Sequence, residues 1–184
     1  VKAFETIRAY TTDEESQSAY IHHGTPLPIQ FFAFEQMCSE NWNDEAILYL
    51  YPRLKRFYDY MTGKDPTATT MMDSGFMATW DYWYSTGGWD DYPVMHHLRL
   101  NKHLYRSVAP MVSNSYYIRA GKILRMIARH YGMKADERQY DADIRRLSEP
   151  VLESGWDEKA GYFGYVTHDE NGKPNGHMIY EDGT

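Results

Sequence analysis

Apolar residues recur at helical spacing in two pairs of neighbouring segments. The first pair covers Leu27–Glu40 and Asn43–Gly63, and the second covers Ser113–Gly132 and Ala135 to about Leu152. Asn43 is typical of a helix N-cap, and glycine at the end of a segment is typical of a helix C-terminus. Segments with this spacing bury their apolar stripe by packing against each other. The sequence therefore predicts two helical hairpins.

The segments between and after the hairpins are of a different kind. A long irregular stretch from Lys64 to about Tyr92 contains five aromatic residues between positions 80 and 89, which argues against disorder. The tail after the second hairpin alternates aromatic residues and contains an Asn-Gly pair, so it predicts one or two short strands. Pro52 predicts a kink or a break near Tyr51. Paired helices of this kind suit an enzyme and a helical-repeat interaction protein equally.

Composition and charge argue against several classes of function. The formal charge is −7 and the basic residues are scattered, so we expect no nucleic-acid partner. No stretch approaches the roughly 18 apolar residues of a membrane helix, and the first residues lack the apolar core of a signal peptide. Adjacent histidines without a His-x-x-x-His or cysteine pair predict no metal site, and nothing suggests a cofactor. Cys38, the one cysteine, is predicted to be buried and unreactive and does not indicate a compartment.

The long stretch also contains the residues best suited to chemistry. In "MATWDYWYSTGGWDDYPVMHH", three aspartates at 81, 90 and 91 stand among Trp and Tyr residues, and two glycines precede Trp89. A carboxyl group surrounded by aromatic rings is desolvated, which raises its pKa towards the range of a general acid. Aromatic rings can also stack on sugar faces. The alternative is that the aspartates bind backbone amides in turns and that the rings only pack.

One part of this stretch resembles a family signature. "TGGWDDYP" at 86–93 resembles the Ser-Gly-(Leu/Met/Trp)-Asp-(Asp/Asn)-(Tyr/Ser)-Pro-Arg signature of glycoside hydrolase family 63, the processing α-glucosidase I family, most closely at Gly88 and at 90–93. The hairpins on both sides resemble those of the family, in order, over most of the chain. A related Glu-Ser-Gly-Trp-Asp is found in trehalases, so the signal belongs to a clan of (α/α)6-toroid glycosidases. Relatives commonly have Glu-Ser at Thr86-Gly87 and Arg at Val94, and these departures imply an altered substrate or lost activity.

The resemblance implies an all-α fold that is part of an (α/α)6 toroid with short β excursions. Such a toroid needs about twelve helices, each near the average length of roughly 11–12 residues or longer, and four or five are counted here. Residues 1–184 are therefore expected to be a segment of a single, incomplete catalytic domain, with the remainder supplied by the same protein or another chain.

The resemblance also implies a reaction and its residues. Asp90 takes the role of general acid in an inverting hydrolysis of α-glycosidic bonds, α-glucosidic before others, with a carbohydrate as partner. The general base is expected beyond this chain, and Glu181 is not assigned to it. The alternatives are a trehalase-like or glucoamylase-like toroid glycosidase and a non-catalytic helical-repeat interaction protein. The predicted substrate-binding residues are Trp80, Asp81, Trp83, Tyr84, Trp89, Asp91, Asn114 and Tyr117.

A second Gly-Trp-Asp triplet occurs in "ESGWDEKAGYF" at 153–163. Its Asp157 follows a predicted helix and begins a turn, at the place where the relatives have a structural hook. The resemblance therefore implies a structural role for Asp157 and a catalytic role for Asp90.

Overall fold

The computed structural model describes residues 28–65, 71–78 and 107–179. These residues form four α-helices and five short strands. The helices are α1 (Ile29–Glu40), α2 (Asp44–Met61), α3 (Met111–His130) and α4 (Lys134–Ser154). The strands are β1 (Val108–Ala109), β2 (Trp156–Asp157), β3 (Tyr162–Phe163), β4 (Tyr165–His168) and β5 (Pro174–Met178).

Helix α2 begins and ends where the sequence predicts. The side chain of Asn43 accepts a hydrogen bond from the N–H of Ala46 at 2.8 Å, which satisfies one of the amides left free at a helix start. Gly63 follows the helix with a φ of +77°, a conformation that glycine adopts without strain. Of the kink or break predicted near Tyr51, the break does not occur. Helix α2 runs through Pro52 with buried residues on both sides, among them Leu50 and Leu54.

Helix α3 begins earlier than the sequence predicts. Its first residue is Met111 and its N-cap is Pro110, so Ser113 lies inside the first turn and is buried. The predicted end is confirmed, since Gly132 follows with a φ of +69°. Helix α4 extends the predicted segment at both ends and contains Pro150 near its end.

A row of polar side chains joins α2 to α4. The Tyr51 hydroxyl donates to a carboxylate oxygen of Asp136 at 2.8 Å and lies 3.2 Å from the Tyr140 hydroxyl. Lys64, just beyond α2, forms an ion pair with Asp143, whose side chain is only 6% exposed. A buried carboxylate needs such a partner, because desolvation would otherwise favour its neutral form.

The larger hydrophobic cluster lies among the four helices. Phe31 of α1 packs on Phe57 and Tyr58 of α2, with ring centroids 6.3 Å apart in both pairs. Helices α3 and α4 complete the cluster with fully or almost fully buried residues, namely Tyr117, Ala120, Ile123, Leu124, Ile127, Ala128, Tyr140 and Leu147. A leucine, isoleucine or phenylalanine side chain in this cluster contributes roughly 1.5–3 kcal/mol when it is fully removed from water.

The strands form two antiparallel sheets. Strand β4 lies at the centre of the order β1-β4-β5, with Ala109 opposite Val166 and Val166 opposite His177. Strands β2 and β3 form the second sheet, in which Trp156 pairs with Phe163. Residues 71–78 form a tight turn closed by a single bridge between Met71 and Met77.

The three-stranded sheet covers a second hydrophobic cluster. It consists of Phe76, Val108, Ala109, Met111, Val151, Tyr165 and Val166. The tail of the chain is thus part of the core, and four of the five strands lie between 156 and 178 rather than the one or two predicted.

The prediction of an all-α fold that is part of an (α/α)6 toroid is wrong. The described residues form a small mixed α/β arrangement of four helices and two antiparallel sheets. The physical reason is that β1, β4 and β5 bury apolar side chains against the ends of α3 and α4, so the strands are a layer of the fold and not an excursion from it.

Candidate functional site

Most of the predicted sugar site lies outside the described residues. This applies to the predicted general acid, Asp90, whose role stays a prediction. It applies equally to six of the predicted substrate-binding residues, which are Trp80, Asp81, Trp83, Tyr84, Trp89 and Asp91. The described residues include Asn114, Tyr117 and the competing aspartate, Asp157, as well as the chain on both sides of 79–106.

The carboxylate of Asp157 is engaged in a turn. One oxygen accepts the backbone N–H of Ala160 at 2.7 Å, and the other lies 3.0 Å from Nδ1 of His177. The hydrogen bond from Ala160, with a further contribution from His177, holds the pKa of Asp157 below its ordinary value. A carboxyl group held in its ionised form has no proton to give near neutral pH. These contacts are those of a structural residue, as the resemblance implies.

The residues of the second Gly-Trp-Asp triplet form part of a tight hairpin at 155–163. Strands β2 and β3 bring the rings of Trp156 and Phe163 together edge to face, with centroids 5.2 Å apart. A Cβ atom on Gly155 would lie 2.5 Å from the carbonyl oxygen of Val151, so only glycine fits at the end of α4. Gly161 has a φ of +74° in the turn. The hairpin therefore accounts for the glycine at 155 and the tryptophan at 156 of the triplet.

Asn114 lies in the first part of α3 and is only 2% exposed. Its Oδ1 accepts the N–H of Met77 at 2.8 Å, and its Nδ2 donates to the carbonyl oxygens of Met77 at 3.2 Å and of Pro110 at 2.8 Å. An asparagine amide has two N–H donors, and both are used here. Asn114 therefore binds backbone on each side of residues 79–106 and has no donor left for a sugar hydroxyl.

Tyr117 belongs to the larger hydrophobic cluster and is fully buried. Burial raises the pKa of its phenol well above the ordinary value, so the hydroxyl stays neutral. The two predicted substrate-binding residues that the structure describes, Asn114 and Tyr117, are thus both interior residues.

The structure also contains a buried histidine that the sequence analysis did not single out. His168, at the end of β4, is 7% exposed. Its Nδ1 lies 3.2 Å from the carbonyl oxygen of Ser107, and its Nε2 lies 2.8 Å from Oγ of Ser74. A carbonyl oxygen can only accept, so Nδ1 carries the proton, and in the neutral ring Nε2 accepts from the Ser74 hydroxyl. Burial lowers the pKa of His168, which favours this neutral form.

His168 resembles Asn114 in what it connects. Ser74 precedes residues 79–106 and Ser107 directly follows them. The ring of His168 also packs edge to face on Phe76, with centroids 5.7 Å apart. The one signal in the sequence is a histidine in an aromatic-rich strand, and that pattern does not indicate what the ring binds.

A charged concavity lies beside α2, and its two lysines are already paired with carboxylates. It has a volume of about 410 Å³ and is lined by Pro52, Lys55, Arg56, Asp59, Tyr60, Lys64 and Asp65. Lys55 and Lys64 are already paired with aspartates, Lys55 with Asp59 and Asp136 and Lys64 with Asp59 and Asp143. The cavity thus combines opposite charges that neutralise each other.

The described part of the chain contains neither a metal-binding cluster nor a helix that could span a membrane. Within 28–65, 71–78 and 107–179, no group of three or more His, Cys, Asp or Glu residues could hold a metal ion. The same ranges contain no helix that is long and apolar enough to span a membrane. Cys38 is 5% exposed, and the predicted burial is confirmed. Burial, followed by the nearby charge of Glu35, raises the pKa of its thiol, which keeps it protonated.

Comparisons of the chain with models of protein families, with curated proteins and with solved structures find no match. The resemblance to glycoside hydrolase family 63 therefore depends on the quoted residues of the sequence alone.

Proposed function

We propose that this protein hydrolyses α-glycosidic bonds, with α-glucosides as the first substrates to consider and Asp90 as the general acid. The observation that carries the proposal is the segment "TGGWDDYP" at 86–93, which resembles the family 63 signature. The contacts of Asp157 support the choice of Asp90, because the aspartate of the other Gly-Trp-Asp triplet is already bound in a turn.

The proposed reaction is a single displacement that inverts the anomeric carbon. Protonated Asp90 donates its proton to the glycosidic oxygen while the bond from that oxygen to the anomeric carbon breaks. A second carboxylate on the opposite face removes a proton from water, whose oxygen attacks the anomeric carbon. The two carboxyl groups stand roughly 6.5–9.5 Å apart in such enzymes to admit the water. The resemblance assigns the second carboxylate to no residue of this chain.

The surroundings of Asp90 in the sequence suit this role. Aromatic neighbours desolvate a carboxyl group and raise its pKa, which keeps the proton available near neutral pH. In the proposal, the rings of Trp80, Trp83, Tyr84 and Trp89 stack on sugar faces, and the carboxylates of Asp81 and Asp91 accept hydrogen bonds from sugar hydroxyls. The proposal does not include Asn114 and Tyr117 among the sugar contacts, because both side chains are buried.

The departures from the signature bear on the substrate. Thr86-Gly87 lacks the carboxylate of the Glu-Ser common in relatives, and Val94 lacks the positive charge of their arginine. Both changes remove polar groups near the proposed acid, so we expect a range of hydrolysed glycosides that differs from that of the family. Trehalose belongs in the test panel because trehalases share the Gly-Trp-Asp triplet.

The proposal is tested by replacing Asp90 with asparagine, which keeps the shape of the side chain and removes the transferable proton. We expect Asp90→Asn to lower kcat for an alkyl α-glucoside by about 10²–10⁴-fold, the usual contribution of a general acid. Proton NMR of the wild-type reaction should show the β-anomer of the released sugar first, as inversion requires. The circular dichroism spectrum of the variant should be unchanged.

The matched control is Asp157→Asn, the same change in the second Gly-Trp-Asp triplet. It should leave kcat per folded molecule unchanged and lower the melting temperature, because it weakens the contacts with Ala160 and His177. Full turnover by Asp90→Asn would remove Asp90 from the role. A wild-type protein that hydrolyses neither maltose nor trehalose nor an aryl α-glucoside would overturn the proposal in favour of the interaction-protein alternative.

A further inference from the structure

Two Asn-Gly pairs lie in the hairpin that β4 and β5 form. Asn171-Gly172 is in the turn, and Asn175-Gly176 is in β5. In an Asn-Gly pair the asparagine side chain cyclises onto the backbone more readily than in other pairs, because glycine has no Cβ to shield the attacking nitrogen. The two pairs therefore have nearly the same local chemistry, and the structure around them is what differs.

Asn171 lies in an exposed turn that is held by hydrogen bonds to Asp169. Oδ1 of Asp169 accepts the backbone N–H groups of Asn171 and Lys173, each at 2.9 Å. The carbonyl oxygen of Asp169 accepts the N–H of Gly172 at 3.0 Å. The outer side of the turn is open, since a Cβ atom on Gly172 would meet no atom within 4 Å. A turn with few, exposed hydrogen bonds opens at a low cost in free energy.

Asn175 is also followed by glycine, but it lies in the sheet. Its Oδ1 accepts a hydrogen bond from the Thr167 hydroxyl at 2.7 Å. The residues on either side of it, Pro174 and Gly176, pair with His168 and Thr167 of the central strand. Ring closure brings the side-chain carbonyl carbon to the nitrogen of the next residue, and this needs backbone rotation that a paired strand resists. Asn175 can therefore react only when β5 separates from β4 around it.

We propose that Asn171 is a site of spontaneous deamidation and that Asp169 sets the rate by keeping the turn closed. When the turn opens, the nitrogen of Gly172 loses its proton to a base in the solvent and bonds to Cγ of Asn171. The bond from Cγ to Nδ2 breaks, and ammonia leaves. One water molecule then opens the succinimide ring, which gives aspartate if the new bond to Cγ breaks and isoaspartate if the original peptide bond breaks. The modification does not depend on the proposed glycosidase activity.

The modification would change the hairpin in two ways. It adds a carboxylate next to Asp169 and Glu170 in the sequence, and like charges at short distance repel. Isoaspartate also adds a methylene group to the backbone before Gly172, which displaces the N–H groups of Gly172 and Lys173 from Asp169. We therefore expect the isoaspartate form to melt at a lower temperature than the unmodified protein. Asn171→Asp, which adds the charge without the methylene group, should melt between them.

The first experiment compares the two Asn-Gly pairs in the folded and the unfolded chain. The protein is incubated in mildly alkaline buffer, with and without concentrated urea, and the products are followed by mass spectrometry. Electron-transfer fragmentation assigns each product to 171 or 175, because trypsin does not cleave between Lys173 and Pro174. We expect similar rates in urea and, in the folded protein, a rate at Asn171 at least several-fold higher than at Asn175. Equal rates in the folded protein, or reaction of Asn171 in urea alone, would overturn the proposal.

The second experiment tests the role of Asp169 with a matched control. Asp169→Ala removes a carboxylate that binds two backbone N–H groups of the turn. Glu170→Ala removes the same charge from the next residue and leaves those two bonds in place. We expect deamidation of Asn171 to be several-fold faster in Asp169→Ala than in the wild type, and close to the wild-type rate in Glu170→Ala. Equal rates at Asn171 in the two variants would overturn the role of Asp169.

Discussion

Gly121 in α3 lies directly against the side chain of Tyr58 in α2. A Cβ atom at position 121 would stand 2.6 Å from the Tyr58 hydroxyl oxygen and 3.2 Å from Cγ1 of Ile144 in α4. The Tyr58 hydroxyl is buried and has no hydrogen-bond partner among the described residues. Glycine in a helix costs up to about 1 kcal/mol relative to alanine, so its presence here is explained by the close approach of three helices.

We predict that Gly121→Ala destabilises the protein by about 1–3 kcal/mol, the usual cost of overpacking a core. Tyr58→Phe removes a buried hydroxyl that lacks a partner and should be neutral or slightly stabilising. In Gly121→Ala/Tyr58→Phe, most of the loss should disappear, because the clashing oxygen is gone. Urea denaturation of the four proteins measures the coupling, and strict additivity would show that the clash is relieved elsewhere. Gly132→Ala is the control, since its cost comes from a φ of +69° in open space and should be independent of Tyr58.

Among the elements, the helices were predictable because the residues that determine where they begin and end lie next to them in the sequence. Asn43 caps α2 and Gly132 ends α3 as the sequence indicates, and the start of α3 was missed by two residues because Pro110 provides no side-chain cap. The sheet was not predictable, since β1 pairs with a strand nearly sixty positions later. The candidate-site residues also differ in whether local sequence or distant partners determine their role. The structural role of Asp157 was implied by the resemblance of the local sequence to the hook of the relatives, whereas the interior position of Asn114 and the contacts of His168 depend on partners far along the chain.

The junction between β4 and the turn at 71–78 should respond to pH through His168. Burial lowers the pKa of His168 in the folded protein, although the backbone hydrogen bonds with Ser107 and Val166 and the nearby charge of Asp169 oppose this. The unfolded chain, with an ordinary pKa of about 6.5, therefore binds the proton more readily. The stabilisation is complete above about pH 6.5 and is lost as the pH falls below that value towards the lowered pKa of the folded state. The slope from one group is at most about 1.4 kcal/mol per pH unit.

We therefore predict that the difference in unfolding free energy between the wild type and His168→Gln shrinks between pH 7.5 and pH 5. The other histidines are present in both proteins, so their effects cancel in the difference. Urea denaturation at several pH values provides the measurement. Parallel curves for the two proteins would show that His168 is protonated equally well in the folded and unfolded states.

In the molecule as a whole, two hydrophobic clusters share one helix. Helix α3 contributes Met111 to the cluster beneath the sheet and Leu124 to the cluster among the helices. Ile118 is partly buried and packs against both. A rigid helix common to both clusters means that neither can lose its packing without exposing part of the other. The described residues are therefore expected to unfold as one cooperative unit.

We predict that Leu124→Ala in the helical cluster and Val166→Ala beneath the sheet each lower a single, shared unfolding midpoint. Both side chains are fully buried, so the expected losses are about 2–5 kcal/mol for Leu124→Ala and on the order of 2 kcal/mol for Val166→Ala. Fluorine NMR of fluorotryptophan-labelled protein can follow Trp42, which packs on His130 at the end of α3, and Trp156 beside the sheet. In each variant both native signals should disappear at the same urea concentration. Loss of the native Trp156 signal in Val166→Ala at a clearly lower urea concentration than that of Trp42 would show that the sheet and the helices unfold separately. In that case, α3 would not transmit the loss of packing from one cluster to the other.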